Sequence, residues 1–226
     1  TSTIQASNSP NKRPMLQTKV KAARISHLTD GRYFAAQYVD YIGFPLDEIS
    51  TKDAKSIMDW LAGVQFVGEF AQSQTIHEIL DIAQELQLDA AQLPPFFDVF
   101  EAQKLALNHI PLWKALYAED LSAESWAELR SQADEWTDFC QLIVLDLSAC
   151  APCESWTADE WAALKDFTER FPTLLLPNLQ QAATLPRLLA ECPRLEGLNL
   201  LGGAEERTGV KSFDQLDEWF EQIYED

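Results

Sequence analysis

The chain is expected to fold as a single (β/α)8 barrel, an α/β architecture with eight parallel strands ringed by outer helices. Three observations carry this expectation. From Thr18 onward, short apolar runs of strand length alternate with longer stretches of helical period. Eight such units follow one another, each close to the roughly 30 residues of a βα repeat. No Pro/Gly/Ser-rich stretch divides the chain after residue 17, so one domain spans 18–226 behind a flexible polar tail at 1–17. Repeated βα alternation puts helices outside a parallel sheet, and eight compact units close it into a barrel. The alternative, a flavodoxin-like domain with a helical tail, leaves three strand-like runs without a role.

The expected strands, in order, are VKAARI (20–25), DYIGF (40–44), VQFVGEF (64–70), DAAQL (89–93), PLWKALY (111–117), QLIVLDLS (141–148), TLLLPNL (173–179) and LEGLNLL (195–201). Helical periods lie between the later ones. Ser73–Gln87 carries Ile76, Ile79, Leu80, Ile82, Ala83 and Leu86 on one stripe, and Leu121–Trp136, Thr157–Phe171, Gln180–Ala190 and Ser212–Ile223 behave alike. Thr157 followed by Glu160 predicts a capping box before Trp161, while Ser122 with Ser125 is a poorer cap.

Charge and composition exclude several functions. With 17 Lys+Arg against 36 Asp+Glu the formal charge is −19, which opposes both a nucleic-acid partner and docking on anionic membranes. The 46% of hydrophobic residues suffices for a substantial core. No apolar run approaches the ~20 residues of a membrane span, and the opening residues lack the hydrophobic segment of a signal peptide. Four cysteines form no disulfide framework, so a reducing, cytoplasmic setting is expected. Of eight glycines, none lies between Gly68 and Gly197, so the middle of the chain does not cradle phosphate with glycine loops.

The order of these pieces resembles the phosphoribosylanthranilate isomerase family across residues 18–223. The likeness is closest in FVGEFAQSQTIHEILDIAQELQLDAAQL (66–93) and recurs in DYIGF, WKAL, VLD and GLNLLGGAEERTGVKSF (197–213). The resemblance implies the barrel fold and an Amadori rearrangement, with a Cys base ending the first strand and an Asp acid ending the sixth. Asp146 of VLD matches the acid. The family's KICG corresponds to KAAR, which puts Ala23 at the Cys position and Arg24 at the following glycine. An alanine cannot take a proton. Asp47 stands where an Arg clamps the substrate carboxylate, and Pro177 and Asn178 replace two glycines of the seventh-strand turn. Only the eighth-strand turn keeps its glycines, Gly202 and Gly203, with Gly209 and Ser212 ahead of the last helix. Any retained phosphate or other anion site is expected there.

The other candidates each have two readings. Asp146 is a general acid in the barrel mouth or a cap of its own loop. Arg24 binds an anion in the mouth or pairs outward with a carboxylate. Lys114, between Trp113 and Ala115, is costly in an apolar strand unless paired, and a Glu69–Lys114 pair inside the barrel satisfies both residues. Cys150 and Cys153 have CxxC spacing but too few neighbouring ligands for zinc, so they are read as surface-loop thiols or an opportunistic disulfide. His77 and His109 are read as a helix-surface residue and a loop residue. His27 is the one histidine on the catalytic side. No metal and no cofactor are expected.

Three functions follow. The first is a divergent barrel, monomer or homodimer, that has lost the isomerase step and binds a small molecule, phosphorylated if the family pattern holds, or a protein. The second is an active isomerase of tryptophan biosynthesis with a rearranged site. The third is an enzyme of new specificity built on Asp146.

Overall fold

The computed structural model describes residues 15–202, 205–207 and 210–225. Eight parallel strands close into a barrel: β1 (Lys19–Ala23), β2 (Tyr41–Pro45), β3 (Gln65–Glu69), β4 (Ala90–Leu93), β5 (Leu112–Tyr117), β6 (Leu142–Asp146), β7 (Thr173–Leu176) and β8 (Gly197–Leu201). Each pairs with its neighbours in sequence, and β8 returns to β1. All eight expected runs therefore become strands. A two-residue strand pairs antiparallel with a three-residue one after β8: β9 (Glu205–Arg207) and β10 (Val210–Lys211).

The helices are α1 (Leu28–Ala36), α2 (Thr51–Met58), α3 (Ile76–Leu86), α4 (Val99–Ala106), α5 (Ala123–Asp134), α6 (Ala158–Arg170), α7 (Leu185–Glu191) and α8 (Asp214–Ile223). Thr157 and Glu160 form the expected capping box on α6, and Thr75 and Glu78 form another on α3. Ser122 caps α5 by accepting from the Ser125 N–H at 3.2 Å. Asp120 supports that cap by accepting from Ser125 Oγ at 2.6 Å. The expected seventh helix begins as a 3₁₀ turn at Ala182–Thr184 and becomes α-helical only at Leu185, where Pro186 occupies the first turn. Helices α1, α2 and α4 go beyond the sequence reading. They are only nine, eight and eight residues long, and α1 contains Gly31.

Two apolar layers explain why the strands read as continuous hydrophobic runs. Val67, Ala90, Trp113, Leu142, Val144 and Leu174 fill the barrel. Their strand neighbours, such as Leu112, Leu116, Ile143 and Leu145, pack outward against the helices. Period-two alternation thus holds with both faces buried. The ends of the described chain meet: Gln17 N–H donates to Ile223 O and Glu225 N–H to Met15 O, each at 2.8 Å.

Candidate functional site

Barrel geometry gathers the last residue of each strand at one end, the end where barrel enzymes carry their sites. The register aligns Ala23 with Leu201, Pro45 with Glu69, Glu69 with Gln92, and Tyr117 with Asp146. Above them opens a cavity of about 390 Å³ whose lining includes Ala23, Arg24, Asp47, Glu69, Gln92 and Asp146. Phe70, Val144, Leu176 and Leu201 supply apolar wall.

The floor is a buried polar network. Lys21 is fully buried and pairs with the Glu69 carboxylate, and it also donates to Asn199 Oδ1 at 3.0 Å. Burial pushes the Lys21 ammonium below the ordinary lysine range, with Glu69 opposing that shift. Gly43 makes the room: a Cβ there would overlap the Glu69 carboxylate and lie 2.9 Å from Lys21 Nζ. Glu69 further accepts the Arg24 N–H, at 3.1 Å on Oε2 and 3.3 Å on Oε1.

Arg24 has φ +54°, the left-handed backbone that a glycine adopts freely. An arginine there bears about 1 kcal/mol of strain, which its N–H bond to Glu69 helps to offset. The guanidinium reaches the rim and pairs with Glu48. Asp146 is half-buried, and its Oδ1 accepts both the Ser148 N–H at 2.9 Å and the Ser148 Oγ–H at 2.6 Å. It therefore holds its own loop and lines the mouth at once. Asp47, exposed, lies on the same rim.

Two sequence expectations change. Lys114 does not enter the barrel and does not meet Glu69. Trp113 takes the inward position, so Lys114 shares the outward parity of Leu112 and Leu116. There its Nζ donates to Pro94 O at 3.0 Å and Pro95 O at 2.7 Å and sits 4.1 Å from the centre of the Trp136 ring. Burial lowers its pKa to about 8. Lys114 thus anchors Pro94 and Pro95, which wall the mouth, from behind. Cys150 and Cys153 are neither surface thiols nor a disulfide: both are buried and unpaired. A short 3₁₀ turn at Cys153–Ser155 folds them inward, Cys150 Sγ donates to Ala118 O at 3.2 Å, and burial pushes the thiols up to about 11 and about 12. His27, exposed at the start of α1, is not among the residues lining the mouth.

A second cavity, of about 520 Å³, lies between the β7 and β8 turns and the start of α8. Gly202 lines it, whereas Gly203 and Gly209 lie outside the described residues. Among the described residues its lining holds no cation to receive an anion. Pro177 has no N–H to offer, and Asn178 donates its Nδ2 to Cys150 O at 2.8 Å. Asp214 occupies the first turn of α8, where an anion would use the helix dipole. The Asp30 carboxylate lies 3.2–3.4 Å from where a Gly202 Cβ would stand.

Lys21, Gln92 and Asn199 escaped the sequence reading. Lys21 had a signal, a charge in a strand two residues before Ala23, and hence on the same face. Among the described residues no cluster of His, Cys, Asp and Glu could hold a metal ion. None of the described helices is long and apolar enough to cross a membrane.

Fold and site together define a (β/α)8 barrel with a polar-floored cavity at its C-terminal mouth. Solved phosphoribosylanthranilate isomerases share this barrel. The enzyme from Thermus thermophilus is 25% identical over 90% of this chain and 97% of its own, with a TM-score of 0.66. An isomerase in complex with reduced 1-(o-carboxyphenylamino)-1-deoxyribulose 5-phosphate is 23% identical over 91% and 97%, with a TM-score of 0.71. KGPDC from Streptococcus mutans matches at 14% identity and a TM-score of 0.63 over 92% and 96%, so the likeness reaches beyond isomerases and speaks for the fold. No protein-family model and no curated protein matches the chain.

Proposed function

We propose that this protein is a phosphoribosylanthranilate isomerase-like barrel that binds a small molecule in its mouth and does not carry out the isomerisation. The observation that supports this most is Ala23. It lines the mouth at the end of β1, where the family resemblance requires the base. No thiol or imidazole joins it in the lining. Glu69, the buried carboxylate of the lining, is already held by Lys21 and by the Arg24 N–H. A missing general base costs ~10²–10⁴-fold, and lost substrate positioning adds to that. The ligand in the solved isomerase complex is named as a carboxyphenyl phosphate compound. Here Asp47 stands where the resemblance expects the carboxylate clamp, and Pro177 and Asp214 stand in the cavity beside the last helix. Four unpaired thiols support a reducing compartment, the cytoplasm.

Complementation of a host lacking the isomerase tests this reading. The wild-type chain is expected not to restore growth, and Ala23→Cys is expected not to rescue it, because substrate placement remains spoiled. Robust growth with wild type, abolished by Asp146→Asn, would show that another residue acts as base.

A further inference from the structure

We infer that the mouth takes a small organic cation, a primary ammonium or amidinium on an apolar body. This rests on the reading of the mouth as a ligand site and names the class of its ligand.

The first argument is charge. Within the mouth Lys21 is engaged by Glu69, and Arg24 by Glu48. The other two carboxylates of the lining, Asp47 and Asp146, have no ion pair among the described residues. With both cations paired, the cleft carries a surplus of negative charge between apolar walls, which focuses its field and concentrates ions of the other sign. The formal charge of −19 acts in the same direction at longer range.

The second argument is hydrogen bonding and is independent of charge. Gln92 lines the cavity, and its Oε1 is buried without a hydrogen-bond partner among the described residues. A buried acceptor left unpaired is unfavourable until a donor reaches it. On Asp146 the Ser148 bonds all fall on Oδ1, leaving Oδ2 for a ligand. The mouth is therefore rich in acceptors, and an ammonium is a group with three donors and no acceptor. The cavity volume falls within the range of small-molecule sites, and Phe70, Val144 and Leu176 offer an apolar body its contacts.

Three isosteric probes test the inference on the full chain at pH 7 and low salt: benzylamine hydrochloride, benzyl alcohol and sodium benzoate. Calorimetric titration is read alongside amide chemical-shift changes. Benzylamine is expected to bind at least tenfold more tightly than the other two and to shift the Arg24, Gln92 and Asp146 amides. Asp146→Asn and Asp47→Asn are each expected to weaken it about tenfold. Asp47 is exposed, so its variant stays informative if Asp146→Asn does not fold. Equal or tighter binding of benzoate or benzyl alcohol would overturn the inference. So would benzylamine that leaves the mouth amides unshifted, or unchanged affinity in the Asp47→Asn variant.

Turnover of phosphoribosylanthranilate in the same preparation separates the two claims. Turnover together with benzylamine bound in the mouth removes the proposed loss of isomerase activity and supports the ligand class. No turnover with benzoate preferred does the reverse.

Discussion

Replacing Glu69 with glutamine strips the carboxylate from a lysine that has no exposure to water. Lys21 is 0% exposed and Glu69 5%, and Asn199 Oδ1 at 3.0 Å is the other side-chain partner of Lys21. Removing one member of a buried pair typically costs ~3–5 kcal/mol, because the other charge stays buried. The glutamine keeps one oxygen acceptor, so the low end applies, ~3 kcal/mol. For a domain of this size that lowers Tm by about 6–12 °C. The pH dependence adds a second signature. Burial already holds the Lys21 pKa below 10.5, and loss of Glu69 deepens that depression. Between the folded and unfolded pKa values the native state then binds fewer protons than the unfolded state. The stability of the variant therefore rises with pH across that window, and its deficit against wild type narrows. Urea unfolding at several pH values between 7 and about 10 measures both effects. A deficit under ~1 kcal/mol at pH 7, or one that widens as pH rises, would refute the buried-pair reasoning. The double variant Lys21→Met, Glu69→Leu is expected to be less destabilised than Glu69→Gln alone.

Other expectations follow from single contacts. Lys114→Met removes the donors to Pro94 O and Pro95 O and should cost about 2 kcal/mol. The folded pKa of Lys114 lies near 8, below its ordinary 10.5. The native state therefore releases its proton first, and wild type should gain on the variant as pH rises from 8 to 10.5, by at most ~1.4 kcal/mol per unit. Thr157→Ala breaks the α6 capping box and should cost ~1 kcal/mol in chemical denaturation. Inorganic phosphate, titrated with amide shifts as readout, should bind only weakly at the Gly202 turn, in the millimolar range or above (about −4 kcal/mol), because Asp214 lines that cavity and Pro177 offers no N–H. Submillimolar binding there would contradict that account.

Strand positions were legible because each is an apolar run set between helical periods, and Asp146 because strand ends on this fold face one mouth; Ala23 and Asp47 were legible only through the family resemblance. What sequence did not carry was parity. In QLIVLDLS both faces of the strand are buried, so no alternation distinguishes inside from outside. In LWKALY the lysine reads as an inside residue, but Trp113 fills the barrel and sends Lys114 to the helix layer. The correct partner of Glu69 was Lys21, two residues before Ala23 on the same face. Gln92 gave no signal, since an unpartnered acceptor is visible only once its surroundings are packed. Helices α1, α2 and α4 are too short to show a full hydrophobic stripe, although Ser50 and Asp98 each accept a bond from the N–H three residues on. Cys153 read as exposed because its loop is short and polar, yet the packing of Trp156 and Leu179 into the same core buries it.

The central claim, that the barrel persists without the isomerase chemistry, meets its most direct test in steady-state turnover of phosphoribosylanthranilate by the purified wild-type chain, followed by substrate fluorescence. With Ala23 at the base position, the expected rate is indistinguishable from the uncatalysed reaction, and Asp146→Asn leaves it unchanged. Saturable turnover that Asp146→Asn abolishes would contradict the claim and show that another residue of this mouth has taken over the base's role.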